Sequence, residues 1–264
     1  MRGIELITGS VTAPGATLTP LTMYAGNSLV VRNAVAGSTV RILSTWAKAQ
    51  AAGVFRFRSP ALHDNVEGYR IRTNAALVIP QYPDIPAQIL QPQDTLIAEL
   101  SGSAVAGDIE IASLLVQYED LPGIAARLLT ADEVRQRVAN VLTNEVTITT
   151  AATGGYSGQV PITTNFDLLR ANTDYAILGI MTSERCAAIR VLGADMGNLG
   201  IGVPGEPTRP DLTGSFFMSL ATRYNLPLVP VFNSANADSV LIDAAQDENA
   251  AAVIATLVLA ELSR

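Results

Sequence analysis

The sequence predicts an all-β chain of two tandem jelly-roll domains joined by a short helical connector, and three observations predict it. Six short segments of the first half recur in the same order in the second, offset by roughly 135 to 150 residues, a period too long for a solenoid. Most of the chain breaks into short apolar runs separated by turn residues, about eight to each half, as in a jelly roll. Only one stretch, lying between the copies, combines a helix start signal with apolar residues at helical spacing.

The repeats read as follows. Ile111 to Val116 is answered by Ile254 to Leu259, Asp94 to Glu99 by Asp238 to Asp243, and Leu77 to Pro80 by Pro227 to Pro230. Phe55-Arg56-Phe57 pairs with Ile189-Arg190-Val191, Ile42-Leu43 with Ile177-Leu178, and Val30-Val31-Arg32 with Leu168-Leu169-Arg170. Strands are expected at Ala16 to Tyr24, Ser28 to Asn33, Thr39 to Trp46, Gly53 to Arg58, Gly68 to Thr73, Ala76 to Gln81, Asp94 to Leu100 and Asp108 to Tyr118. In the second copy they are expected at Val146 to Thr150, Gln159 to Thr163, Asp174 to Met181, Ala187 to Leu192, Gly214 to Ala221, Pro227 to Phe232, Ser239 to Asp243 and Ala251 to Glu261. Gly193 through Leu212, rich in glycine and proline, reads as a loop.

Thr130 and Glu133 form a capping box, and Val134, Val138, Val141 and Leu142 follow at helical spacing. The division is therefore residues 1–123 for the first roll, 124–145 for a connector containing the helix, and 146–264 for the second roll.

Composition narrows the function. Apolar residues make up 48% and charged residues 16%, against a usual charged share of about 25%. So little charge suits a chain that hides its outside against partners, as an obligate oligomer does. A net charge of -7 and a pI near 4.7 argue against nucleic-acid binding. Lys48 is the only lysine, and Arg56, Arg58, Arg70 and Arg72 alternate as the solvated faces of strands do. Cys186 stands alone and reads as a buried small hydrophobe, not as part of a disulfide framework or a zinc cluster. Met1 to Glu5 has no signal-peptide run and Ala250 to Ala260 is too short to span a membrane, so synthesis in the cytoplasm is expected.

Reactive groups are few. His63, the single histidine, precedes Asp64 in a turn-like stretch and reads as an exposed loop residue; Ser157 misses the spacing of a nucleophile elbow. Gly200 to Gly205 matches the dinucleotide fingerprint, but Pro207 and Pro210 forbid the helix that the fingerprint needs. Asp243, Asp247 and Glu248 cluster before the last strand, with Glu119 and Asp120 just after the corresponding strand of the first copy. Such carboxylates suit calcium or glycoside chemistry, or simply keep loop ends soluble. Trp46 is the sole tryptophan, a poor aromatic platform for a sugar. No catalytic, cofactor-binding or metal residue is assigned, no cofactor is expected, and the chain is not read as an enzyme.

Tandem all-β domains, a helical connector and an acidic, charge-poor composition together resemble the double jelly-roll major capsid proteins of icosahedral viruses with an internal membrane, particularly the compact ones of tailless bacterial viruses. The local likeness lies in Asp247 to Leu257, an acidic turn leading into a long apolar last strand, and in Asp108 to Leu115 of the first copy. The resemblance implies a homotrimer whose six barrels form a pseudo-hexagonal capsomer, with neighbouring capsomers, a vertex protein and an internal membrane as partners, and a virion location. It also puts Gly193 to Leu212 at an outer end or a subunit contact, and makes residues 1 to about 18, with Thr12, Pro14 and Gly15, an N-terminal arm reaching to a neighbour. Another virion protein (decoration, spike base or tail component) is the second reading, and a carbohydrate-binding or -processing double β-sandwich the third.

Overall fold

The computed structural model describes residues 2–24, 29–30, 40–59, 66–82, 95–119, 123, 125–149, 155–164, 169–246 and 252–263. The first half runs through β1 (Gly3–Thr12), β2 (Thr19–Pro20), β3 (Thr22–Met23), β4 (Leu29–Val30), β5 (Val40–Lys48), β6 (Gly53–Arg58), β7 (Tyr69–Thr73), β8 (Thr95–Ser101) and β9 (Ile109–Tyr118). These strands form two antiparallel sheets. One has the order β3-β1-β9-β5; the other has β2-β8-β6-β7, with β4 also on β8. Between them lies a core that includes Phe55, Phe57, Leu100, Leu114, Val116 and Tyr118.

After β10 (Leu128–Leu129) and α1 (Ala131–Arg137), the second half repeats the plan. Its strands are β11 (Val138–Thr149), β12 (Gly155–Tyr156), β13 (Val160–Pro161), β14 (Asp174–Thr182), β15 (Cys186–Leu192), β16 (Ile201–Gly205), β17 (Val229–Asn233), β18 (Leu241–Gln246) and β19 (Ala252–Leu262), with α2 (Pro210–Thr213) and α3 (Phe216–Tyr224) ahead of β17. The sheets are β10-β17-β14-β19-β11 and β12-β18-β15-β16, with β13 also on β18. In each half the last strand of the chain order sits between the first and a middle one (β1-β9-β5, β11-β19-β14), and its predecessor pairs in the facing sheet (β8-β6, β18-β15). That is the interleaving of a jelly roll. The fold is all-β.

Register shows the duplication residue by residue. β5 slips against β9 between Ile42 and Ser44, leaving Leu43 as a bulge, and β14 slips against β19 between Ile177 and Gly179, leaving Leu178. These are the same positions of the repeat, and bulges of this kind are built features of a strand. Arg56 lies opposite Glu99 on β6 and β8, as Arg190 lies opposite Asp243 on β15 and β18.

Several segments differ from expectation. Residues 1–18 are not an arm: β1 pairs with β9 over its whole length, from Gly3↔Tyr118 to Thr12↔Ile109. The capping box at Thr130 is real, but the helix ends at Arg137, and Val138 turns extended at φ -62°, ψ 121°. Val138, Val141 and Leu142 belong instead to β11, where pairing with β19 and the alternation of buried Val146 and Ile148 with exposed Thr147 and Thr149 prevail. Gly214 to Ala221 is not a strand. Phe216, Phe217, Leu220 and Ala221 are the buried stripe of α3, which ends at Asn225 in the left-handed region, φ 52°. Gly193 to Leu212 is not all loop, because it contains the fully buried β16 and the turn of α2. Ala76 to Gln81 contributes a single bridge, Thr45↔Gln81, and Ala16 to Tyr24 only the short β2 and β3.

Candidate functional site: a roll-to-roll interface and two open sheet faces

The chemistry-bearing residues singled out in the sequence do not converge. His63, Asp64, Asp120, Asp247 and Glu248 lie outside the described residues. Ser157 is buried, with its hydroxyl donating to the Gly158 carbonyl at 3.1 Å and accepting from the Ala244 amide at 3.0 Å, so it stitches the edge of β18. Cys186 is buried. The glycines of Gly200 to Gly205 serve close packing in and beside β16: a Cβ on Gly202 would overlap Leu6, and one on Gly205 would overlap the Cys186 sulfur. Glu119 pairs with Arg41 at 3.6 Å. Among the described residues, no three of His, Cys, Asp and Glu stand together as a metal site, and no helix is long and apolar enough to cross a membrane.

What the structure does bring together is the two rolls, through unlike faces. Cross-strand partners point to one side of a sheet, so Ile4, Leu6, Thr8, Ile111, Ser113, Leu115, Ser44 and Trp46 share the outer side of β1-β9-β5. This side lies on the outer side of β15, β16 and β18. Its apolar members Ile4, Leu6, Trp46, Ile111 and Leu115 belong to the same buried cluster as the second roll's core. The Leu6 amide donates to the Gly200 carbonyl at 2.7 Å, the Trp46 indole N–H to the Ala187 carbonyl at 2.7 Å, and Lys48 to Gln246 at 3.3 Å. Trp46 meets Phe216 of α3 edge-on at 5.9 Å, and the Tyr224 hydroxyl donates at 2.8 Å to the carbonyl of Leu43, the bulged residue.

Beneath this contact sits Asp243. Arg190 holds it with two bonds, Nε to Oδ1 at 3.0 Å and Nη2 to Oδ2 at 2.7 Å, and also stacks 3.6 Å above the Tyr156 ring. The Tyr156 hydroxyl donates to Thr8 of the first roll at 2.8 Å. Burial pushes the Asp243 carboxyl above the ordinary aspartate range, against the pull of Arg190, and pushes the Tyr156 phenol up to about 12. The duplicate pair, Arg56 Nε to Glu99 Oε2 at 2.6 Å with Arg58 alongside, lies on the outer side of β6 and β8, where Arg56 also donates to the Val66 carbonyl at 3.0 Å and Glu99 is buried.

The second anchor between the rolls is Glu206, whose side chain is fully buried. Its carboxylate accepts from the Val78 amide at 2.8 Å, the Thr208 hydroxyl at 2.6 Å and Arg185 Nε at 3.2 Å. Burial alone would raise this carboxyl, but those donors hold it below the ordinary glutamate range. Glu99, held by Arg56 and Arg58 against its own burial, and Asp174, held chiefly by Arg127, are lowered too. A carboxyl with a lowered folded pKa stabilises fully above its unfolded value, about 4, and that contribution is lost as pH falls through the folded value. Asp243, raised, works in the opposite sense and is relieved by acid. Urea midpoints are therefore expected to hold from pH 7 to about 5 and to fall below about 4; midpoints that stay level to pH 2 would mean that the lowered carboxyls do not stabilise the fold.

Two outer faces are left open. On the second roll it is a stripe across β11 and β19 carrying Val141, Thr143, Glu145, Thr147, Ile254 and Thr256; α2 and α3 pack against β14 beside it. Val141 is 53% exposed and Ile254 40%. On the first roll it is the β7 side of β8-β6-β7, where Arg70 and Arg72 are exposed, Val54, Arg56 and Arg58 half-buried, and Glu99 buried beneath the arginines. A cleft of about 460 Å³ beside Trp46, Phe55, Ile71, Arg72 and Asn74 opens on the first roll.

No family model matches the chain, and no curated protein matches its sequence. Among solved structures it is similar to the major capsid protein P2 from bacteriophage PM2, at 11% identity over 100% of this chain and 99% of that one with a TM-score of 0.25. It is similar also to YhaK from Escherichia coli, at 10% identity over 97% and 86% with a TM-score of 0.24, and to the PBSX exported protein XepA, at 9% over 94% and 88% with a TM-score of 0.22. Scores at this level decide nothing about function; the jelly-roll assignment rests on strand order and register.

The residues that carry the interface were mostly not singled out in the sequence. Leu6, Thr8 and Tyr156 have no motif. The signal that would have found the ion pairs was present, since Arg56 and Glu99 recur as Arg190 and Asp243 in two separate repeat segments, and a charge of each sign kept in both copies points to a pair.

Proposed function

We propose that this chain is a major capsid protein, a structural and non-catalytic component of an icosahedral virion, which assembles as a trimer into a capsomer of six jelly rolls. The observation that carries the reading is the unlike-face contact between the rolls. A contact of this kind leaves one face of each type unused at the two ends of the chain, and repeated head to tail between copies it generates a closed ring or an open chain. Three copies supply six rolls, the number that a pseudo-sixfold ring needs. The low charge, the exposed Thr-rich stripe on β11 and β19 and the buried join between rolls suit a building block of a shell. Neighbouring capsomers, a vertex protein and an internal membrane are the partners of such a block. Of the three carboxylates of the carbohydrate reading, Asp243 is held by Arg190 beneath the first roll.

The test is the solution mass of the purified protein, followed by negative-stain imaging. A particle of three times 27.8 kDa with a hexagonal outline is expected. A monomer at every concentration and salt would sink the reading.

A further inference from the structure

The docking face of the sheet is buried in one copy of the repeat and exposed in the other. Matching registers make Ile4, Leu6, Thr8, Ile111, Ser113 and Leu115 of the first roll equivalent to Val141, Thr143, Glu145, Ile254, Thr256 and Val258 of the second. Ile4 and Ile111 are wholly buried, under the second roll, whereas Val141 and Ile254 are about half exposed. On the receiving side, Arg190, Asp243, Leu192 and Gly202 are equivalent to Arg56, Glu99, Arg58 and Arg70.

Where the copies differ, they differ in complementary ways. The docking face carries Glu145 in place of Thr8, and the receiving face carries Arg70 in place of Gly202 and Arg58 in place of Leu192. An acid is gained on one side and bases on the other. Among the described residues Glu145 has no ion-pair partner, and Arg72, next along β7, has none either.

We propose that the β11–β19 stripe of one copy docks on the β8-β6-β7 face of a second copy in the register of the contact inside the chain, with Glu145 seated over the cross-strand pair Arg56 and Arg70, where Arg70 is the exposed member, and Thr143 against Arg70. The placement follows from the internal contact. Thr8 meets the Tyr156 hydroxyl, whose ring lies under Arg190, and Leu6 rests on Gly202. Val141 and Ile254 then become as buried as Ile4 and Ile111. The interface joins opposite charges at its edge, which fixes register and excludes a like-face contact. The inference rests on the trimeric capsid reading and adds which faces meet and in which register.

Two experiments test it in the full-length chain. Thr143→Cys combined with Arg70→Cys, treated with a short bis-maleimide, is expected to give linked species that stop at three chains, while each single variant stays at one; the native Cys186 is buried and supplies no background. Glu145→Arg is expected to weaken the trimer at least about tenfold, and adding Arg70→Glu to restore most of that loss. A solution trimer in which the double cysteine variant does not link and Glu145→Arg has no effect would overturn the face assignment and leave the capsid reading standing. A wild-type chain that never leaves the monomer would overturn both.

Discussion

Trp46→Ala is expected to lower the unfolding free energy by about 4 kcal/mol, within the range for removing a large buried aromatic. Trp46 belongs to β5 of the first roll, yet it is buried against the second, where it faces Phe216 and donates to the Ala187 carbonyl. Truncation removes the ring from a cluster shared by both halves and leaves the Ala187 carbonyl without this donor. The measurement is a urea titration followed by circular dichroism for both proteins. The wild type is expected to unfold in one transition, because the first roll's Ile4, Leu6, Ile111 and Leu115 belong to the second roll's core cluster. In the wild type, fluorescence of this sole tryptophan reports the parting of the rolls. A loss under about 1 kcal/mol would mean that the interface contributes little to folding.

Asp243→Ala is expected to cost about 3 to 5 kcal/mol, since it removes both hydrogen bonds of Arg190 beneath the first roll and leaves it the Tyr156 ring and the field of the Glu5 carboxylate. Most of this loss is the penalty of a guanidinium without those bonds, not the worth of the pair. The double variant Asp243→Ala with Arg190→Met is therefore expected to recover at least half of it, and chemical denaturation of the three proteins side by side reads this directly. Equal loss in the single and double variants would place the effect in shape and not in charge.

Much of the fold was legible because the duplication repeats particular residues. Phe55-Arg56-Phe57 and Ile189-Arg190-Val191 alternate in and out of their sheets, and Ile111 to Val116 recurs as Ile254 to Leu259 on the equivalent strand. The first strand was not legible: Ile4 and Leu6 alternate with Glu5 and Ile7, but burial on both sides of β1 blurs the period. The end of α1 was hidden because Val134, Val138 and Val141 continue at helical spacing into a strand. The run from Phe216 to Ala221 fits a strand or a buried helix equally until the packing decides. The interface was the least legible of all. Asp243 looks like a free carboxylate until Arg190 is found 53 residues away, and Glu206 finds the Val78 amide 128 residues away.

The join between the rolls has a consequence for assembly entropy. Each association of separate bodies forfeits translational and rotational freedom, on the order of 4 to 15 kcal/mol. Six loose rolls closing into the proposed ring would forfeit it five times, whereas three tandem chains forfeit it twice. Alternate contacts around the ring are already made when folding ends, held by Trp46, Glu206 and the Leu6–Gly200 bond. The open contacts can then remain weak enough to break and re-form, so that misplaced subunits leave a growing shell before it closes.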